Sequence, residues 1–441
     1  MAGDWAIQRL ENLTLSANTG LDAIRRAPIV TYPSAIKCLR IQDITKNKRL
    51  SEWGNTEVRD VDYEKFRLKE NDLIMARTCS TGICLLVESD MPAVFNNGLA
   101  RLRFHTSLVS PKFMYYVFQS RKFVSYIDGI AGGTSVQLNI KLGDLKKYKF
   151  PLPPLAEQKA IAHILGTLDD KIELNRRMNE TLEEMARTLF KSWFVDFDPV
   201  RAKLDGRQPA GMDAETAALF PAEFQDSELG KIPKGWEVKK LEEICLTITS
   251  GGTPKTKETS YWGGGIPWLS SGETRNSFIT HTQKTITESG AANSSTRHVA
   301  AGATVIAGAG QGKTRGQTSL LGIGTYINQS TVALIADENK CGPNFLYFDL
   351  ERRYKEFRRI SDSHSVRGSL TASILRRMKI VLPNPCITNI YESVVKAVVE
   401  RCLENQKQSQ RLASLRDTLL PKLLSGELRI KDAEKFVENA L

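Results

Sequence analysis

The run IAHILGTLDDKIELNRRMNETLEEMARTLFKSW, residues 161–193, carries a heptad period over its whole length. Its seam residues lie alternately four and three apart, the spacing of a helix that packs against a second helix. They are Ile161, Leu165, Leu168, Ile172, Asn175, Asn179, Leu182, Ala186, Leu189 and Trp193. The run has no proline, and Gly166 is its only glycine. We therefore expect one continuous helix, which spans about 50 Å at 1.5 Å per residue.

A matching seam recurs 230 residues later. The equivalent positions are Leu168, Asn175, Leu182 and Leu189 in the first seam and Val398, Asn405, Leu412 and Leu419 in the second. Both seams place an asparagine at the same position, and a buried asparagine fixes the register of a coiled coil at a cost in stability. We predict that the two helices pair with each other, antiparallel, through these residues. A second interpretation stays open, in which each helix packs separately on its own globule.

The sequence before each helix is also repeated. KKYKFPLP (146–153) and RRMKIVLP (376–383) lie 230 residues apart. Three further pairs of blocks keep the same order at offsets of 230 to 232: TSVQLNIKLGDL (134–145) with HSVRGSLTASIL (364–375), PKFMYY (111–116) with PNFLYF (343–348), and DLIMAR (72–77) with ATVIAG (303–308). The chain is therefore two copies of one unit of about 230 residues.

Each copy has the same plan ahead of its long helix. Short strand-like runs come first, separated by Gly, Asn, Asp and Pro. An aromatic helix candidate follows, PKFMYYVFQSRKFVSYI (111–127) in the first copy and PNFLYFDLERRYKEFRRI (343–360) in the second. A short strand that ends in prolines closes the globule. We predict a mixed α/β class with two similar α/β domains, joined by two long antiparallel helices that form a coiled coil with pseudo-twofold symmetry.

Composition and charge narrow the function. The chain of 441 residues is 41% hydrophobic and 25% charged, which is typical of a folded protein and excludes a disordered or fibrous one. Its net charge is +11. The segment 196–230 has a net charge of −5, which leaves +16 for the rest of the chain, and we expect that segment to be a solvated crossing. A surplus of this size favours a polyanionic partner such as nucleic acid.

Several protein classes are excluded by the sequence. The start, MAGDWAIQRLENL, lacks the apolar core of a signal peptide, and no run of eighteen apolar residues predicts a membrane-spanning helix. The seven cysteines are scattered with no CxxC pair, which favours free thiols in a reducing cytoplasm. Histidines and cysteines show no metal-ligand spacing, so we expect neither a metal nor a cofactor in this chain.

One motif invites an enzymatic interpretation. Residues 308–314, GAGQGKT, are similar to a phosphate-binding loop, but Ala307 stands where that motif needs its first glycine. Strand-like sequence follows where a helix must begin. We interpret the segment as a glycine-rich loop that can approach another molecule closely, and nucleotide binding through Lys313 is the weaker alternative. Since GxSxG and HExxH are also absent, the sequence predicts a binding protein without catalytic residues.

Three segments resemble one known family, the specificity subunits of type I restriction–modification enzymes. PLPPLAEQKAIAHILGTLDDKIELNRRMNETLEEMARTLFKSWFVDFDPVRAK (151–203) is similar to the family's first conserved region. GWEVKKLEEICLTITSGGTPKTKETSYWGGGIPWLSSGE (235–273) looks like the opening of a second target-recognition domain. LRDTLLPKLLSGELRI (415–430) is similar to the end of the second conserved region. The second helix departs from the family's acidic-Gln start and begins PCITNIYES (385–393).

The resemblance implies both domains and function. The implied domains are target-recognition domain 1 (1–154), conserved helical region 1 (155–195), a linker (196–230), target-recognition domain 2 (231–385), conserved helical region 2 (386–426) and a C-terminal tail (427–441). Each recognition domain would read one half of a bipartite, asymmetric sequence in double-stranded DNA. The helices would set the spacer and dock two modification subunits. This chain would be non-catalytic, whereas adenine methylation with S-adenosylmethionine and ATP- and Mg-dependent cleavage would belong to modification and restriction subunits.

Two pairs of equivalent polar loops are the expected DNA contacts, because Arg, Lys, Asn, Gln, Ser and Thr read base edges and phosphates. In the first copy they are Arg77, Thr78, Ser80, Thr81, Thr134, Ser135, Gln137, Asn139 and Lys141. In the second copy they are Gln311, Lys313, Thr314, Arg315, His364, Ser365, Arg367 and Ser369. Ordinary polar turns are the alternative interpretation. A basic group, Arg352, Arg353, Arg358 and Arg359, predicts either a phosphate contact or a solvated helix face.

A second function hypothesis belongs to another class. The chain could be a coiled-coil scaffold for protein interactions, without sequence-specific DNA binding and with an incidental positive charge. Salt-dependent, sequence-selective duplex binding distinguishes the two hypotheses.

Overall fold

The chain divides into two units in the computed structural model, which describes residues 5–131, 139–310, 312–364, 369–438 and 440. Unit 1 is Met1–Glu173 with Gln410–Leu441, and unit 2 is Leu174–Ser409. The first unit therefore combines the first repeat with the chain's C-terminal end.

The first repeat opens and closes with paired strands. Its strands are β1 (Ala6–Arg9), β2 (Thr14–Thr19), β3 (Ile29–Val30), β4 (Ile36–Leu39), β5 (Gly54–Thr56), β6 (Leu73–Ala76), β7 (Cys84–Leu86), β8 (Ala93–Phe95), β9 (Leu99–Phe104) and β10 (Lys149–Leu152). Its helices are α1 (Leu10–Leu13), α2 (Ile41–Thr45), α3 (Asp60–Phe66), α4 (Pro111–Gln119), α5 (Arg121–Ala131) and α6 (Leu142–Leu145). β1 runs antiparallel to β10, with Ala6 opposite Leu152.

Two four-stranded sheets form the body of this repeat. The strand order is β2-β9-β6-β7 in one and β3-β5-β4-β8 in the other. The first sheet is antiparallel, whereas the second contains one parallel pair, β4 with β8. Strand β6 reads LIMA without a polar residue and is buried along its whole length, as a strand covered on both faces must be.

The segment between the repeats is folded onto unit 2. After the long helix α7 (Leu155–Phe194), the chain forms α8 (Asp198–Leu204), α9 (Ala214–Leu219), β11 (Phe224–Ser227) and β12 (Gly230–Pro233). Val200 is fully buried and Phe220 is 1% exposed, and both join the apolar core of unit 2. Residues 196–230 are therefore not a solvated crossing, because their few apolar side chains anchor an otherwise acidic segment.

The second repeat has the same framework. Its strands are β13 (Glu237–Lys240), β14 (Cys245–Ser250), β15 (Trp262–Leu269), β16 (Phe278–Ile279), β17 (Lys284–Ile286), β18 (Arg297–Val299), β19 (Thr304–Ala307), β20 (Thr318–Leu321), β21 (Thr325–Ile327), β22 (Thr331–Ala336) and β23 (Lys379–Leu382). Its helices are α10 (Leu241–Ile244), α11 (Glu288–Ala292), α12 (Pro343–Glu351), α13 (Tyr354–His364) and α14 (Ala372–Arg377). The second long helix, α15 (Pro385–Ser425), and α16 (Ile430–Glu438) complete the chain.

Strand pairing confirms the internal repeat. β13 pairs with β23 as β1 pairs with β10, and the order β14-β22-β19 corresponds to β2-β9-β6. The agreement extends to an irregularity, since the register of each edge strand shifts around one leucine, Leu15 in β2 and Leu246 in β14. Both leucines are exposed, at 61% and 68%. A shared bulge is a detail that two unrelated domains would not have in common.

In unit 2 the long helices pair through a layer of asparagines. The Asn175 amide donates to the main-chain oxygen of Asn405 at 3.3 Å and to Gln408 Oε1 at 2.9 Å. The Asn405 amide donates to Asn179 Oδ1 at 2.8 Å, and the Asn179 amide to the Cys402 oxygen at 2.9 Å. Asn175 contacts Gln408, whereas Asn179, further along α7, contacts Cys402, which is earlier in α15. This pairing is therefore antiparallel. The alternative, in which each helix packs only on its own globule, is wrong.

In unit 1 the same helices meet through apolar seam residues. Leu165 and Leu168 share one core with Leu412 and Leu419, and all four are at most 3% exposed. An ion pair between Asp169 and Arg416 at 2.6 Å borders this contact.

The predicted seam drifts along α7. In unit 2 the buried apolar residues of this helix are Ala186, Phe190, Trp193 and Phe194, whereas Leu182 and Leu189 are only partly buried against that core. A straight helix has 3.6 residues per turn, so a strict heptad seam rotates by about 20° per repeat. Phe190 also contacts Phe345 of α12, with ring centroids 5.5 Å apart, so this end of α7 packs on the aromatic helix as well as on α15.

Candidate nucleic-acid interface

In the first repeat, the two predicted loops lie against each other where strand β6 ends. The main-chain oxygen of Arg77 accepts a hydrogen bond from Ile140 N at 2.9 Å. Thr78 and Asn139 form an isolated antiparallel bridge, and the Arg77 guanidinium donates to Asn139 Oδ1 at 2.8 Å. Residues 139–140, which come after the aromatic helices, thus return to the strand end, and Arg77, Thr78 and Asn139 share one surface.

The second repeat makes the equivalent contact. The main-chain oxygen of Gly308, which follows β19, accepts a hydrogen bond from Leu370 N at 2.7 Å. Helix α13 holds the tip of this glycine-rich loop, because the Tyr354 hydroxyl donates to Lys313 O at 2.9 Å and the Arg358 guanidinium to Gly312 O at 2.7 Å. Gly312 has φ of 59°, which favours glycine over any other residue.

The candidate side chains differ in exposure. Asn139, Lys141 and Lys313 are exposed, whereas Arg77, Thr78, Ser80, Thr81 and Ser369 are half-buried. Six candidates lie outside the described residues: Thr134, Ser135, Gln137, Gln311, Ser365 and Arg367. His364 ends helix α13, and its side chain is likewise outside the described part.

Two candidates hold the loop from inside. Thr314 is 4% exposed, and its hydroxyl accepts a hydrogen bond from the Arg275 guanidinium at 2.9 Å. Arg315 is 9% exposed and forms an ion pair with Asp362 of α13. Lys313, which was predicted, and Arg275, which was not, are both exposed cations beside this loop.

The geometry after the glycine-rich loop is that of a strand. Gly316, at φ of 86°, turns the chain into β20, which starts at Thr318 and pairs with β19. A phosphate-binding loop needs a helix N-terminus at this point. The described residues of this loop thus agree with its interpretation as a binding loop rather than a nucleotide site.

A third polar segment in each repeat joins the surface and was missed from the sequence. Arg77 N donates to Gly98 O at 3.0 Å, and Gly308 N donates to Ser330 O at 2.8 Å. The turns that precede β9 and β22 therefore border the predicted loops and expose Asn97 and Gln329. The internal repeat could have identified these turns, since FNNGLA (95–100) and INQSTV (327–332) lie 232 residues apart, within the offset of the repeat.

The predicted basic helix face is mostly used inside unit 2. Arg352 and Arg353 both pair with the buried Asp349, at 2.6 and 2.7 Å. Arg353 is itself only 8% exposed and donates to Lys379 O at 2.9 Å. Neither interpretation from the sequence fits Arg353, because it neutralises a buried carboxylate.

The thiols in the cores are unreactive by environment. Burial raises the pKa of Cys38, Cys245 and Cys402 to about 12, so these thiols stay protonated at neutral pH. Across the described ranges, no cluster of three or more His, Cys, Asp or Glu side chains could hold a metal ion. Among the helices described, none is long and apolar enough to cross a membrane.

Comparison with known proteins identifies the family. A family model for the type I restriction modification DNA specificity domain matches residues 37–184 and 233–409, one match in each repeat. The chain belongs to this family. It is a specificity subunit of a type I restriction–modification system, the DNA-recognition component of such a system.

Curated relatives of this specificity subunit match it over most of their length. The type I restriction enzyme HindI specificity subunit of Haemophilus influenzae is 28% identical, over 92% of this chain and 96% of the relative. The MjaIX specificity subunit of Methanocaldococcus jannaschii is 28% identical, over 77% of this chain and 74% of its own. Among solved structures, the S subunit from M. genitalium shares the fold, with a TM-score of 0.59 and 17% identity over 95% of this chain and 96% of that one.

Proposed function

We propose that each unit of this specificity subunit reads one half of a bipartite, asymmetric target in double-stranded DNA. One observation carries the proposal: the same three segments converge in both repeats, yet the exposed side chains on them differ. Asn97 and Lys141 stand in the first repeat where Gln329 and Thr371 stand in the second. A common framework with different polar groups is what two readers of different sequences need.

The exposed side chains suggest a division of tasks. Amide groups such as those of Asn97 and Gln329 are suited to bidentate contacts with adenine in the major groove. Lysines such as Lys141 and Lys313 are suited to phosphates, or to the acceptors of guanine. The candidates outside the described residues are part of the same proposal.

The long helices and the partner proteins complete this proposal. The paired helices set the unread spacer between the half-sites and dock two modification subunits, and restriction subunits join the full complex. This chain is proposed to be non-catalytic and to hold no cofactor. S-adenosylmethionine, ATP and Mg would be bound by the partner subunits, and the complex would work in the cytoplasm, where the chromosome is accessible.

Reciprocal variants test the proposal in the complex assembled with modification subunits. Gln329→Ala should relax discrimination at a base pair of one half-site by about 1–3 kcal/mol, and Asn97→Ala should do so in the other half only. Lys313→Ala and Lys141→Ala should weaken binding to all sequences and lower the salt slope by about one. The variants of one unit serve as matched controls for those of the other. Discrimination that is unchanged in both halves, or relaxed in both by a single variant, would contradict the assignment.

A further inference from the structure

A fourth segment of the first repeat borders the candidate nucleic-acid interface. It is a turn at residues 22–27, closed by a hydrogen bond from Ala27 N to Asp22 O at 2.9 Å. Leu21, directly before the turn, accepts a hydrogen bond at its main-chain oxygen from Asn97 N at 2.8 Å. Ile24, in the middle of the turn, lies three residues from Leu21 and so within about 11 Å of it, which is about three base-pair steps of DNA.

The second repeat places the equivalent segment beside the same turn. Gly20 and Gly251 lie 231 residues apart, within the offset of the repeat. A Cβ at either position would collide with a main-chain oxygen at the end of β8 or β21, so each position needs glycine for this close approach. The Thr253 hydroxyl also donates a hydrogen bond to Oε1 of Gln329, an exposed amide of the interface. The juxtaposition is therefore part of the repeated framework.

The turn of the first repeat is held from inside. Asp22 Oδ1 accepts hydrogen bonds from Ile24 N at 3.0 Å and from Arg25 N at 2.8 Å. The Arg26 guanidinium forms an ion pair with the buried Asp62. The backbone of the turn is thus fixed by its own unit, while the side chains of Ile24 and Arg25 are exposed. A contact made by a fixed turn costs little conformational entropy on binding.

The chemistry of the exposed tip suits a base edge. Ile24 is 82% exposed, the most exposed large apolar side chain among the residues described. A single exposed isoleucine needs no explanation by itself. This one, however, lies on a turn that contacts the proposed reading surface, beside the exposed cation Arg25, which suits a phosphate. In the major groove, the apolar group that distinguishes one base from the others is the C5 methyl group of thymine.

The equivalent position in the second repeat has different chemistry. Lys255 lies 231 residues after Ile24 and is also exposed. A lysine is suited to the acceptors of guanine or to a phosphate, and a thymine methyl group offers it no partner. A position that keeps its place in the framework but changes from apolar to cationic has the property expected of a residue that determines specificity.

We propose that Ile24 determines specificity for thymine in the half-site that unit 1 reads, through contact with the thymine C5 methyl group in the major groove. The inference rests on the proposed function. It goes beyond that function because it adds a fourth segment to the interface and assigns one side chain to one chemical group on the DNA.

Replacement of thymine by deoxyuridine tests the proposal, because it removes the methyl group and keeps the base pair. The full chain is assembled with modification subunits and bound to duplexes that carry the target found by methylation mapping. Each thymine of the half-site read by unit 1 is replaced in turn. One replacement should weaken binding by the unchanged complex about threefold to tenfold. The same replacement should leave binding by the Ile24→Ala complex unchanged, since that complex has already lost the contact.

A matched control separates this contact from a general effect of losing an exposed apolar side chain. Ile7 is 63% exposed in β1 of the same unit, outside the segments that converge at the interface. The Ile7→Ala complex should respond to deoxyuridine as the unchanged complex does.

Four results would overturn the proposal. They are a half-site without thymine on either strand, no weakening by any deoxyuridine, equal weakening in the unchanged and Ile24→Ala complexes, and an Ile24→Ala complex that binds all sequences equally less well. If exchange of residues 1–150 still alters one half-site in these cases, the DNA-reading proposal stands and the role of Ile24 fails. A complex in which unit 1 reads no half-site overturns both.

Discussion

Two side chains cap equivalent helices by different chemistry. Gln158 of α7 accepts a hydrogen bond from Ser110 N, before α4, at 2.9 Å and donates to Pro153 O at 2.8 Å. In the second repeat the equivalent position is Thr388, and the cap comes from Glu392, one turn later. The Glu392 carboxylate accepts from Phe345 N at 2.7 Å and from the Asn344 amide at 2.8 Å. The unusual start of the second helix, PCITNIYES, therefore keeps the function of the missing glutamine.

We expect this substitution to make the stability of unit 2 depend on pH. Burial raises the pKa of Glu392 above its ordinary value, and hydrogen bonds from Phe345 and Asn344 offset only part of the increase. A carboxyl group with a raised pKa in the folded state stabilises the fold fully below its unfolded pKa. That contribution is lost as pH rises through the folded pKa.

We expect Glu392→Gln to flatten the pH dependence of unit 2. The unfolding free energy of the unchanged chain should fall relative to that of the variant as pH rises from about 4.5, the ordinary glutamate range. The difference in unfolding free energy, here called the gap, should stay constant at higher pH. Urea unfolding followed by tryptophan fluorescence at several pH values measures the gap. Glu404→Gln, at an exposed position of the same helix, is the control. Parallel curves for the unchanged chain and Glu392→Gln would contradict this account.

The sequence predicted a polar binding surface, but it did not predict which of the candidate side chains are exposed on it. Arg77 and Asn139 were both expected, and they touch. Thr314 and Arg315 look like surface residues in the sequence, yet both are buried. The sequence does not predict this, because their partners Arg275 and Asp362 are 39 and 47 residues away. Contacts of such separation have no local signature in one sequence.

A layer of asparagines fixes the register of the paired helices α7 and α15. The layer links Asn405 to Asn179 and the Asn175 amide to three acceptors on α15. Polar groups at a seam lower stability but allow only one register, since any shift leaves amides without partners.

A double-mutant cycle measures this layer. Asn405→Leu alone should cost about 1–3 kcal/mol of unfolding free energy, because the Asn179 amide oxygen loses its donor. Asn179→Leu/Asn405→Leu should cost clearly less than the two single changes added together, since both polar partners are then gone. Urea unfolding of the four proteins gives the coupling energy. Additive costs would mean that the two asparagines do not interact.

The same helices are proposed to set the DNA spacer. Inserting one heptad at equivalent points of α7 and α15 keeps the seam in register and adds about 10 Å of helix. The spacer should then lengthen by about three base pairs at 3.4 Å each. Mapping of methylated sites by the assembled complex measures the spacer, and insertion into only one helix is the control that should abolish activity. An unchanged spacer in the double insertion would show that the helices are not the ruler.

Helix existence and pairing were predictable from the seam, whereas the detailed contacts were not. The run 161–193 became a helix from Leu155 to Phe194, six residues longer at its start. The heptad pattern identified Leu168 and Asn175 but favoured Leu189 over Phe190, which is 2% exposed. A heptad period of 3.5 residues does not predict which residues are buried at the end of α7, because this end also packs on α12. The tertiary contact decides which residue is buried there.

For the whole molecule, the repeat was the most informative feature of the sequence. It predicted the mixed α/β class, the doubled domain and the equivalent loops, because a repeated fold constrains both copies. It did not predict that residues 196–230 fold onto unit 2, since the anchors Val200 and Phe220 are isolated within an acidic stretch. The acidic composition of the segment predicts a solvated linker, whereas its buried side chains, Val200 and Phe220 among them, join the core of unit 2.

Each unit of the chain is proposed to read one half of the target. Genome-wide mapping of methylated adenines measures this, in cells that carry the complex with the unchanged chain and in cells where residues 1–150 come from another such domain. We predict an asymmetric sequence of two half-sites around an unread spacer, in which the exchange alters one half and leaves the other half and the spacer unchanged. A change in both halves, or a continuous target without a spacer, would contradict the account.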